Sequence, residues 1–104
     1  MPDRELLVDG SNGEARYAVI VGGPAVQHDR RDVTIQRGSG VVALQGTSIC
    51  YGRVSGDKDG FDFDGEVILP WVENASQSNV ELLIDDTEIE TIENLTQWPP
   101  ITTQ

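Results

Sequence analysis

No segment of this sequence sustains a helical period. Its apolar runs are short and are broken about every 8–12 residues by Gly, Asp, Asn or Pro. A helix needs apolar positions recurring at three and four residues over several turns, and the run lengths here do not allow that. Short strands do not need it, because each buries one side chain in two. The spacing therefore predicts an all-β fold, a single small β-sandwich or barrel of about seven or eight short antiparallel strands. At 104 residues there is enough chain for one modest core and too little for two. The β domain is expected over residues 1–94, with an extended C-terminal tail over 95–104 containing Trp98-Pro99-Pro100.

Individual strands can be placed by alternation. Leu6 to Val8 opens the series and is closed by the turn formers Asp9 to Gly13. Ala15 to Val21 is apolar on both faces apart from Arg16, which predicts a central strand covered on each side. Gln27 to Asp32 is polar and reads as a loop. Val33 to Gln36, Val41 to Gln45 and Thr47 to Val54 follow as strands. The run Ser55-Gly56-Asp57-Lys58-Asp59-Gly60 predicts a hairpin turn. After it, Phe61, Phe63 and Val67 alternate with Asp62, Asp64 and Glu66, as on a strand with one wet face. Gly65 interrupts the Phe face and predicts a bulge or a close backbone approach. Pro70 confines its segment to an edge or a bend, Glu73 to Asn79 reads as a loop, and Val80 to Ile84 is a strand. Thr87 to Ile92 is either a last strand or a short turn of helix capped by Asp86. Its β-branched residues favour the strand.

Charge narrows the function. The chain carries 18 acidic and 7 basic side chains, a formal net charge of −11. Residues 1–52 account for −1 and residues 53–104 for −10. Such a surface repels phosphate backbones and anionic lipid, so neither nucleic acid nor a membrane surface is an expected partner. The only Lys is Lys58, against six Arg. A Lys-poor, carboxylate-rich surface suits a protein kept soluble in high salt, where charge repulsion is screened. The N-terminal residues show no basic stretch followed by an apolar one. The longest apolar runs, Ala18 to Val21 and Val41 to Leu44, are too short to span a bilayer. The expected location is the cytoplasm or a virion or surface assembly.

The motifs that suggest chemistry fail on their surroundings. Gly38-Ser39-Gly40-Val41-Val42-Ala43 matches a dinucleotide fingerprint but continues into β-branched residues and Gly46, where a phosphate-binding helix is required. The acidic run from Asp57 to Glu66 fits no register of a calcium-binding helix–loop–helix, since Phe61 or Val67 falls where a ligand or the glycine is needed. His28 next to Asp29 lacks a nucleophile elbow, and Cys50 lies inside a strand, where a thiol behaves as a small buried hydrophobe. No catalytic, cofactor or metal residues are assigned. One cysteine cannot form an internal disulfide. Asn74-Ala75-Ser76 and Asn94-Leu95-Thr96 are glycosylation sequons, pointing to surface positions.

What remains is contact. His28, Arg30, Arg31 and Arg37 form the one basic cluster, which either pairs internally with Asp29 and Asp32 or meets the acidic second half of a neighbouring copy. Asp62, Asp64 and Glu66 are the acidic counterpart, and Trp98 in its Trp-Pro-Pro segment is a docking candidate. The expected partner is protein, including other copies of the chain. A second possibility is a carbohydrate-binding module, which needs Trp71, Tyr17 or Tyr51 on an exposed aromatic platform.

Several stretches resemble a β domain recurrent in haloarchaeal surface and secreted proteins. Leu6 to Ser11 followed by Ala15 to Gly22 is similar to that family's paired opening strands. Gly52 to Gly56, then Asp59 to Val67, resembles its Gly-Asp hairpin and Gly-Glu-Val strand, and Val80 to Ile89 its closing hairpin. The likeness covers residues 5 to about 90 and implies a structural module rather than an activity.

Overall fold

A computed structural model describes residues 4–28 and 39–93. The fold is all-β: two antiparallel sheets packed face to face, nine short strands among the described residues. In chain order these are β1 (Arg4–Asp9), β2 (Glu14–Gly22), β3 (Ala25–His28), β4 (Gly40–Leu44), β5 (Thr47–Ser55), β6 (Lys58–Phe63), β7 (Val67–Val72), β8 (Glu81–Ile84) and β9 (Thr87–Ile89). One sheet has five strands in the order β3-β6-β1-β8-β9, the other four in the order β4-β5-β2-β7.

The core follows from period-two alternation. Leu6 and Val8 of β1, Phe61 and Phe63 of β6, and Leu82 and Ile84 of β8 point inward from the five-stranded sheet. Ala15, Tyr17, Val19 and Val21 of β2, with Cys50 and Val54 of β5 and Val72 of β7, meet them from the other. Tyr17 and Phe61 pack edge to face, ring centroids 6.2 Å apart, joining the two layers.

The segment around residue 58 is a turn but not a hairpin. β5 pairs with β2 and β4, whereas β6 pairs with β1 and β3, so the turn carries the chain from one sheet to the other. Likewise β1 and β2 lie in different sheets and do not pair with each other. The expected continuous strand from Phe61 to Val67 is two strands. β6 ends at Phe63, Asp64-Gly65 bends, and β7 begins the opposite sheet at Val67. Gly65 makes that crossing possible by close approach: a Cβ there would lie 2.5 Å from the Gly22 carbonyl oxygen. Gly22 N–H donates to the Glu66 carbonyl at 2.8 Å across the same junction.

Two connections stay within a sheet. β4 and β5 are joined at Gln45-Gly46, and β8 and β9 at Asp85-Asp86, where both residues are left-handed (φ 50° and 71°) as a twisted two-residue hairpin requires. The segment after Asp86 is thus a strand, as its β-branched residues suggested. Pro70 sits on edge strand β7, where Ile92 N–H donates to its carbonyl and Val72 N–H donates to Ile92. Its missing N–H therefore faces outward, away from β2, and no ladder bond is lost.

Gln27 and His28 belong to β3 rather than to a loop, held by pairing with Phe61 and Gly60. The expected strand Val33–Gln36 and the tail at 95–104 lie outside the described residues.

Candidate interaction surface

The two outer faces of the sandwich differ in kind. On the five-stranded sheet, the residues alternating with the core are Glu5, Leu7 and Asp9 of β1, Val26 and His28 of β3, Lys58 and Asp62 of β6, Glu81 and Leu83 of β8, and Glu88 of β9, with Val26 57% exposed among the acids. Acid dominates that face. On the four-stranded sheet the same alternation exposes apolar side chains. The register places Val42, Ile49, Ile20 and Leu69 in one row across β4, β5, β2 and β7. The next row is Gly40, Tyr51, Ala18 and Trp71. Val42 is 45% exposed and Leu44 51%. Ile20, Ile49, Leu69 and Trp71 are half-buried. The expectation that Ala15 to Val21 is covered on both faces is therefore half right. β2 is an inner strand of its sheet, but only its inward face is sealed.

Among the described residues, charge enters this face only at one end, and there it is balanced. Arg16 and Arg53 are cross-strand neighbours on β2 and β5. Like charges so placed repel, and each is met by a carboxylate. Arg16 donates to Glu73, Nη2 to Oε2 at 2.7 Å, and Arg53 pairs with Glu14. The hydrogen bond from Arg16 holds the Glu73 carboxyl below its usual range and raises the Arg16 guanidinium. A shallow depression of about 400 Å³ lies beside them, lined by Arg16, Tyr17, Tyr51, Gly52, Arg53 and Trp71. Tyr51 leans over Gly40, where a Cβ would lie 3.4 Å from its hydroxyl. The Trp71 indole N–H donates to the Glu93 carbonyl at 3.2 Å.

The contact residues expected from sequence are dispersed. His28 is buried, its Nε2 2.9 Å from Glu5 Oε2 and 4.0 Å from Asp62 Oδ1, so its ring serves the five-stranded sheet and not an outer contact. Asp62 sits on β6 beside it, while Asp64 is in the bend and Glu66 precedes β7. The three acids therefore do not share one strand face, because the strand ends at Phe63. Glu66 is highly exposed and lies 3.5 Å from Arg4, which also reaches Asp85 at 3.4 Å and stands over the Phe63 ring at 5.4 Å. Arg4 and Glu66 help line an open groove of about 460 Å³ with Val67, Pro70, Ile84 and Ile89. Arg30, Arg31, Arg37 and Trp98 lie outside the described residues. Of the aromatic-platform candidates, Tyr17 is buried at 2% exposure, and Tyr51 and Trp71 are on the outer face.

Two polar groups sit where reactive chemistry is suppressed. Cys50 is wholly buried in the core, and burial pushes its thiol up to about 12. Asp59, also fully buried, accepts a hydrogen bond from the Tyr17 hydroxyl, and burial raises its carboxyl to about 6. The same burial, with Asp59 beside it, pushes the Tyr17 hydroxyl far above its ordinary range. Sequence reading placed Asp59 in the turn. The signal that it belongs inside was its two-residue spacing from Phe61 and Phe63, which puts all three on one strand face. Among the described residues, no group of three or more His, Cys, Asp or Glu is placed to hold a metal ion, and no helix is long and apolar enough to cross a membrane. Compared with known proteins, the chain matches no family model, no curated protein and no solved structure.

Proposed function

We propose that this chain is a non-catalytic structural module that works by protein–protein contact, self-associating or taking a place in a larger virion or cell-surface assembly of a salt-adapted archaeal system. The observation that carries the reading is the segregation of its two outer faces, one acidic and one apolar. A continuous apolar sheet face on a small domain marks a surface meant to be covered. The acid-rich, Lys-poor composition supports the salt-adapted setting. Light scattering coupled to size exclusion, at low and at high salt, tests the reading. Concentration-dependent mass above that of the 11.3 kDa monomer supports self-association, and a strict monomer in both conditions removes it.

One observation favours a second reading, a carbohydrate-binding module. Tyr51 and Trp71 flank Ala18 on one outer row, with Arg16 and Arg53 alongside, an arrangement of ring faces and hydrogen-bond donors that suits a sugar. Titration with soluble polysaccharides, followed by Trp fluorescence in the native chain and in Trp71→Ala, separates the two. Saturable quenching lost in the variant favours the sugar.

A further inference from the structure

We infer that the outer face of the four-stranded sheet is a homodimer interface, and that what covers it is the same face of a second copy of this chain. The inference rests on the reading of the chain as a self-associating module and names the surface that reading requires.

Three features select the second copy. The first is charge. A chain of net −11 repels its own kind over most of its surface, yet the described cations and carboxylates on this face, Arg16 with Glu73 and Arg53 with Glu14, neutralise each other. This is where two copies can approach without like-charge repulsion. A basic partner would be drawn to the acidic sheet instead, and an acidic one gains nothing here.

The second feature is area. Strands about 4.8 Å apart, rising about 3.3 Å per residue, give this face roughly 450 Å² in projection. Two copies together then bury about 900 Å², a little under the roughly 1,000 Å² that a stable specific interface clears. That area fits a concentration-dependent dimer rather than a permanent one.

The third is shape. The row Val42, Ile49, Ile20 and Leu69 runs straight across all four strands. A two-fold axis in the plane of the face lays one such row over its mate, as inner sheet faces meet in a sandwich at about 10 Å. The acidic sheets then face outward on both sides of the dimer.

Sedimentation equilibrium on the full chain, from low to molar KCl, tests this against the other contacts. Screening of like charge and favoured apolar burial should tighten the dimer as salt rises. Val42→Lys and Ile49→Lys should each raise the dissociation constant roughly tenfold or more, whereas Glu81→Lys on the opposite face leaves it within about twofold. Thermal melts confirm that each variant is folded. Should Ile49→Lys not fold, Val42→Lys, at an exposed position on an edge strand, decides alone. A dimer that weakens with salt, or that survives both apolar-face substitutions, overturns this interface while self-association stands. A monomer throughout overturns both.

Discussion

The Tyr17 hydroxyl, on the four-stranded sheet, donates to the Asp59 carboxylate, on the five-stranded sheet, inside the sandwich. This bond ties the layers through polar atoms buried inside the sandwich. Only one Asp59 oxygen is served, since Oδ1 has no hydrogen-bond partner among the described residues. Water would have solvated both, so the ionised form is disfavoured in the fold despite the Tyr17 bond.

Stability should therefore carry a specific pH dependence. The folded carboxyl titrates at about 6, above its ordinary 3.8, so between these values the folded state holds a proton that the unfolded state has lost. The Asp59 contribution is most favourable below pH 4 and declines as pH rises through 6, by roughly 3 kcal/mol at most. Urea denaturation of native protein and Asp59→Asn at pH 4 and 7 isolates it. The stability difference, native minus variant, should be larger at pH 4, and a difference independent of pH would overturn the account.

Gly65 predicts a steric cost. Ala at this position sets its Cβ against the Gly22 backbone, which cannot rotate away as a side chain would. A loss of about 1–3 kcal/mol is expected from overpacking of this kind. Equal denaturation midpoints for Gly65→Ala and the native chain would show that the junction has slack.

The sandwich interior and the outer face of the four-stranded sheet should respond differently to substitution. Phe61→Ala empties the sealed interior and should cost about 3–5 kcal/mol. Val42→Thr, on the outer face, should change monomer stability by no more than about 0.5 kcal/mol. Thermal melts at a concentration where the protein is monomeric make the comparison.

Cys50 should be inert until the sandwich opens. Its thiol is sealed and held protonated at neutral pH, so a disulfide reagent should titrate no thiol in native protein and one in urea. Rapid native reaction would mean that the sheets part readily.

Much of this architecture could be read from residue order, and the limits have a common cause. Apolar runs bounded by turn formers located β1, β2 and β5, and alternation located the Phe61–Phe63 end of β6, because a half-buried strand writes its own period. Neither revealed that the turn at Gly56-Asp57 leads to the other sheet. Turn formers encode a reversal of the chain, not the neighbour to which it returns. His28 lay hidden in a polar stretch because the carboxylates beside it, Glu5 and Asp62, are distant in sequence. The apolar outer face was visible as the two-sided character of Ala15 to Val21. Its location required the register that sets Ile20 beside Ile49 and Leu69.

That register also says something about how the chain acquires its shape. Apart from the β4–β5 and β8–β9 links, each connection between successive strands switches layers. Leu6 finds its ladder partners at Phe61 and Ile84, so β1 must wait for segments made far later. Neither layer is a separable half that could be cut out and expected to persist. Assembly must close long loops before they are rewarded, which places folding in the millisecond-to-second range of non-local β proteins. On a ribosome, β1 emerges before every other strand of this fold and is among the last of them to be sheltered.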